Sequence, residues 1–174
     1  MNDVFPSVST VSIKSTEAGS IVKIPRSDNP ILALVTDHLT KDVRSIVWLN
    51  AKIPQRPSIM FAENWRNEEA ALRYNDSIRF ELGITDNDVD AKGNKSWETH
   101  GVIVSIGDEL YIRAAPQDSF YGSYRLINIR NGSVFEGYPP NDSWSFLSWR
   151  LCLRDSIANR DVVLMEFDSR IQPT

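Results

Sequence analysis

Ser77-Ile78-Arg79-Phe80-Glu81-Leu82-Gly83-Ile84 places an apolar side chain at every second position. In a strand, Ile78, Phe80, Leu82 and Ile84 line one face, while Ser77, Arg79, Glu81 and Gly83 line the other. A helix would split the same four apolar residues between opposite sides and bury neither set. The stretch therefore reads as a strand with one face on a core. The pattern recurs from Trp144 to Arg154, where Leu147, Trp149, Leu151 and Leu153 share a face opposite Ser148, Arg150, Cys152 and Arg154. Leu110, Ile112 and Ala114 alternate in the same way with Tyr111 and Arg113. Residues 31–35 and 162–165 are apolar on both faces and read as buried strands.

Turn chemistry separates these runs. Asn131-Gly132 stands between residues 127–130 and 133–135, and both residue types tolerate the positive φ of a tight hairpin. Gly107-Asp108 has the glycine-first order of a type II′ turn. Asp28-Asn29-Pro30 and Pro139-Pro140-Asn141-Asp142 close two further runs. Glu68-Glu69-Ala70-Ala71-Leu72-Arg73 is made of good helix formers, with acids first and arginine last, and Asn64 is placed to cap it. This predicts one short helix over about 64–75.

The expected fold is mainly β: an antiparallel barrel or two-layer sandwich of about ten strands, because connections this short leave no room for crossover helices. At 174 residues, a single domain spanning 1–174 has enough chain for a core that needs no staples. The run Gly19-Ser20-Ile21-Val22-Lys23-Ile24, followed by residues 31–37 and 43–50, resembles the cadence of a small SH3-like barrel over less than a third of the chain.

Charge narrows the classes of partner. Between Glu63 and Glu98 nine acids face five bases, which accounts for the whole net charge of −4. A pI near 5.2 without a basic run argues against nucleic acid. The longest apolar run, residues 31–35, is far short of the roughly 18 that a membrane span needs. Cys152 is the single cysteine, so no internal disulfide framework exists. The opening Met1-Asn2-Asp3-Val4-Phe5-Pro6 lacks the features of a secretory signal, and the expected compartment is the cytoplasm.

Four features carry chemistry. Asp86, Asp88 and Asp90 occupy positions 1, 3 and 5 of a calcium loop, yet Ala91 stands where that loop needs glycine and Glu98 falls one place late, so a solvated loop is the competing reading. Glu98 and His100, two apart, would present an N,O pair to a transition metal if a loop aspartate joined them; His38 reads as a structural cap on its strand. Cys152 between Arg150 and Arg154 would be a reactive thiolate if exposed and a small core residue if buried. Large rings beside predicted turns are the fourth. Tyr121, Tyr138 and Trp144, with Arg150 and Arg125, are the candidate ligand-binding face, against the alternative that the rings close the ends of the fold.

Histidine is scarce and no nucleotide, hydrolase, metalloprotease or dithiol motif occurs. The expected function is a non-catalytic binding or protein-interaction module with a protein or small-molecule ligand. No cofactor is expected beyond the Ca2+ or other divalent ion that the aspartates would take. The alternative is a small hydrolase using carboxylates, with or without such a metal.

Overall fold

The structure, a computed structural model, describes residues 8–40, 43–51, 59–63, 65, 69–74, 77–83, 85, 87–91, 99–117, 123–155 and 158–171. The chain is mainly β. In order its strands are β1 (Val8–Ser12), β2 (Ile21–Ile24), β3 (Ile31–Thr40), β4 (Val43–Trp48), β5 (Met60–Ala62), β6 (Ala70–Tyr74), β7 (Ile78–Leu82) and β8 (Val89–Ala91), then β9 (Ile103–Ile106), β10 (Glu109–Pro116), β11 (Arg125–Asn128), β12 (Val134–Phe135), β13 (Trp144–Phe146), β14 (Ser148–Asp155) and β15 (Arg160–Asp168). A 3-10 turn at Ser169–Ile171 follows. No helix among the described residues is long and apolar enough to cross a membrane.

Twelve strands form one long sheet, in the order β1-β6-β2-β3-β4-β5-β10-β9-β13-β8, with β11 added to β10 and β12 to β11. The other three form a small sheet, β15-β14-β7. Strand β10 joins the halves of the long sheet: Glu109 to Ala114 pair antiparallel with β9 and β11, while Ala115 and Pro116 run parallel to Met60 and Phe61 of β5. The described pairings trace an open path from β1 to β8.

Residues 31–35 are apolar on both faces because the sheet they belong to separates two cores. Leu32 and Leu34 join Ile21, Val47 and Phe61 in the larger cluster. Ile31, Ala33 and Val35 join Val22, Ile24 and Ile46 in a smaller cluster on the opposite face. All eleven are at most 7% exposed, and the large aliphatic ones contribute roughly 1.5–3 kcal/mol each on burial. The larger cluster also takes Trp149, Leu151 and Phe167 from the small sheet, with Ile78, Phe80 and Leu82 of β7 packed against it. The alternation in β7 and β14 therefore orients the small sheet as expected.

Both glycine-led turns form hairpins. Ile106 pairs with Glu109 across Gly107-Asp108, and Gly107 has φ +59°. At the second, Leu126 pairs with Phe135, but the connection is longer than two residues and only Gly132 takes positive φ (+72°). Asn128 organises that turn by accepting the Arg130 and Asn131 N–H groups on Oδ1 (2.8 and 3.2 Å), an Asx arrangement that leaves Asn131 in ordinary backbone geometry.

Four expectations need correction. The predicted helix does not form where it is described: Ala70–Tyr74 is β6, inserted between β1 and β2 with antiparallel ladders on both sides. Residues 64, 66–68 and 75 of that stretch lie outside the described residues. Residues 162–165 lie in an edge strand, where Val163 is 45% exposed. The continuous run from Trp144 to Arg154 serves two sheets, β13 and β14, and the chain changes sheet at Leu147. The Leu147 N–H donates to the Asp88 carbonyl (2.7 Å) and its carbonyl accepts from Ser169 (2.9 Å). The strand count, fifteen among the described residues, exceeds the expected ten because of this break and of short strands such as β5, β8 and β12.

Candidate functional site

Among the described residues, Trp144 and Tyr138 are the aromatic rings most displayed to solvent. Tyr138 is 88% exposed and Trp144 51%. Both lie on or beside the connection from β12 to β13. Gly137, at φ +135°, turns the chain out before Tyr138. Pro139 is buried immediately after it, and the Ser143 N–H donates to the Pro140 carbonyl (3.2 Å), closing the Pro-Pro turn. Two prolines fix their own φ, so Tyr138 rides on a stiff corner. Trp144 is seated by its strand: its N–H donates to Ser105 Oγ (3.2 Å), and its backbone pairs with Ser105 of β9 and Ala91 of β8. Ser143 next to it is 5% exposed, and its hydroxyl has no partner among the described residues.

The arginines expected to join these rings are placed elsewhere. Arg125 lies on β11, three strands from Trp144 and four residues along the ladder; at ordinary sheet spacings that is about 14 Å across and about 13 Å lengthwise. Arg125 approaches Glu63 at 4.0 Å. Arg150 belongs to the small sheet, where its Nε donates to Glu81 Oε2 at 2.6 Å. Tyr121 lies outside the described residues.

Arg150 is one member of a charged lattice on the outer face of the small sheet. Arg79 binds Glu81 (2.6 Å) and Asp161 (2.8 Å), and Arg154 reaches Asp161 at 3.4 Å. Hydrogen bonds from Arg150 and then Arg79 hold the Glu81 carboxyl below the usual carboxylate range, and Arg79 does the same for Asp161. Cys152 lies beneath this lattice, 1% exposed. Burial first, and Glu81 second, push its thiol up, so it stays protonated and unreactive despite its arginine neighbours.

Of the aspartates of the calcium-like stretch, Asp88 and Asp90 are among the described residues. Asp88 turns inward at 9% exposure. It accepts from the Thr85 hydroxyl, from Ser148 Oγ (2.8 Å) and from Arg170 Nη2 (2.9 Å). The Thr85 and Ser148 hydrogen bonds, ahead of the Arg170 charge, lower its pKa. Asp90 is in β8, opposite Ser145. Asp86 and Glu98 lie outside the described residues. No group of three His, Cys, Asp or Glu placed to hold a metal occurs among the described residues.

His100 is half-buried, with Nε2 3.1 Å from the Ser123 carbonyl; burial first, then the nearby Arg113 charge, lower its pKa, despite an opposing contribution from that hydrogen bond. His38 meets Ser45 Oγ through Nδ1 (3.0 Å) and sets its ring edge-on to Phe61. Sequence alternation missed Arg113 altogether. It is 3% exposed rather than outward-facing, and its guanidinium lies 4.0 Å from the centre of the Tyr124 ring. The signal for it was Tyr124 beside a predicted turn, a ring free to fold back over the strand.

No family model matches this sequence, and comparison with curated proteins and with solved structures returns no match. Function must therefore be read from the surface chemistry.

The lowered carboxylates set a pH dependence. Glu81, Asp88, Asp161 and Asp168 all ionise more readily folded than unfolded. Their contribution is complete above the ordinary carboxylate range and is lost as pH falls through it towards the folded values. Thermal melts from about pH 7 to about pH 2 should be flat at first and fall below about pH 4. Asp88→Asn should lower the plateau and flatten the fall. A melting temperature unchanged to the acid end would contradict these pairings.

Proposed function

We propose that the chain is a non-catalytic binding module that presents Trp144 and Tyr138 to a protein or small-molecule partner. The observation that carries this reading is the combination of exposure with fixed placement: two large rings stand in solvent on a proline-braced corner and a hydrogen-bonded strand. Rings consumed in closing the core would be hidden. Flat amphipathic rings held in place lose little entropy when a partner covers them, which is why they dominate binding surfaces. The unpartnered Ser143 hydroxyl beside Trp144 adds a polar group for a partner to satisfy.

The carboxylates support the non-catalytic reading. Glu81, Asp88, Asp161 and Asp168 are each tied to an arginine and held ionised. That suits ion pairing, whereas a hydrolase of the carboxylate type keeps one acid protonated to serve a leaving group. A cytoplasmic setting fits a chain whose single cysteine is a buried free thiol.

The test compares affinity capture from a lysate of the source cells by the wild-type chain and by the double variant Tyr138→Ala, Trp144→Ala. Both side chains are exposed, so stability should change by about 1 kcal/mol or less. A partner recovered by the wild type should drop about tenfold or more with the variant. Equal recovery of the same partners by both would remove the rings from the interface and overturn the reading.

A further inference from the structure

A second surface uses none of the residues of the Trp144 corner. A cleft of about 280 Å³ opens where the loop before β2 and the end of β6 meet β7 and the turn after β11. Ile78, Phe80 and Ile129 supply its apolar lining, and all three are partly buried against the larger core. Arg73 of β6 and Arg130 of the turn are among its lining residues, with Glu17 the one acid. The cleft is thus locally positive in a chain whose net charge is −4.

The two arginines differ in commitment. Arg73 reaches Glu17 only at 3.9 Å, and Glu17 is 79% exposed, so water weakens that pair and a ligand anion can displace it. Arg130 makes no ion pair among the described residues, yet its backbone is held. Its N–H donates to Asn128 Oδ1 (2.8 Å), and its carbonyl is packed so closely on Gly19 that any Cβ there would overlap it. Tyr74 completes the lining, and burial pushes its phenol up.

We propose that this cleft binds a small organic anion, a carboxylate or phosphate on a flat apolar body, with Arg73 and Arg130 holding the anionic group, Tyr74 donating to it, and Ile78, Phe80 and Ile129 covering the apolar part. Guanidinium pairs are suited to planar carboxylate and to phosphate oxygens. Inorganic phosphate alone would leave the apolar residues of the lining uncovered.

The test titrates the full chain calorimetrically with phenyl phosphate, benzoate, inorganic phosphate and benzylamine. Saturable binding of phenyl phosphate or benzoate is expected, with inorganic phosphate weaker and benzylamine not binding; whichever of the two aromatic anions binds tighter identifies the headgroup. Arg130→Gln should weaken binding about tenfold and Glu17→Gln, which removes the competing carboxylate, should strengthen it a few-fold. Both substitutions fall on exposed side chains. Failure of both aromatic anions to saturate by about 10 mM, equal affinity for inorganic phosphate, or insensitivity to Arg130→Gln would each overturn the proposal.

Discussion

Replacing Trp149 by alanine should lower the melting temperature by roughly 10 °C, from a loss of about 3–5 kcal/mol at about 2–4 °C per kcal/mol for a chain of this length. Trp149 is 3% exposed at the middle of the interface between the two sheets. Its ring stacks on Phe167 (centroids 5.3 Å apart, 17° between planes) and meets Phe80 edge-on, also at 5.3 Å, so it contacts both neighbouring strands of the small sheet. Its Nε1–H donates to the Gly101 carbonyl (2.7 Å), just before β9 of the long sheet. Alanine loses the ring contacts and orphans that carbonyl at once. Trp149→Phe separates the two effects: it keeps an aromatic ring and should lose only about 1–3 kcal/mol, mostly for the buried acceptor and the smaller volume. A drop of less than about 3 °C for Trp149→Ala would mean that the small sheet does not rest on this residue.

Trp149 is also where the sequence was most legible. Face assignment in β7 and β14 follows directly from alternation, because each of these strands has one wet side. What alternation does not encode is where a strand changes partner. Trp144 to Asp155 keeps one parity throughout, and the passage from β13 to β14 at Leu147 is set by the Asp88 carbonyl, some sixty residues away in the chain. Ala70–Tyr74 was misread for a related reason. Its residues favour helix by tenths of a kcal/mol each, and two antiparallel ladders, to β1 and β2, outweigh that preference. The exposure of Tyr138 and Trp144 is legible because turn-adjacent aromatics are local features. The arginines were not sorted correctly, since what decides whether an arginine is free is its partner. Arg150 is committed to Glu81, 69 positions distant, whereas Arg130, two residues after Asn128, has its backbone held by that turn and makes no ion pair among the described residues.

Gly132→Ala should cost at least about 3 kcal/mol, whereas Gly107→Ala, in the other glycine hairpin, should cost only about 1 kcal/mol. Both glycines have positive φ, +72° and +59°, so both alanines incur the left-handed penalty. They differ in what a Cβ would meet. At Gly107 nothing lies within 4 Å. At Gly132 it would overlap the Val35 carbonyl oxygen, while Gly19 N and Thr36 Cα stand at 2.8 and 3.0 Å. These are backbone atoms of β3 and of the preceding loop, and they cannot rotate away as a side chain would. Relief requires the turn to lift off β3, which stretches the Asp37 N–H to Gly132 carbonyl bond (3.0 Å) and disturbs the Gly19 N–H to Val35 carbonyl bond (2.8 Å) beneath it. The same movement carries Ile129 and Arg130 away from Arg73 and Tyr74, so Gly132→Ala should weaken phenyl phosphate binding in parallel with stability, while Gly107→Ala leaves it unchanged. Equal losses of melting temperature for the two variants would mean that conformational preference alone governs both turns and that the turn after β11 does not press on β3; the wall that this turn gives the cleft would then have no fixed position.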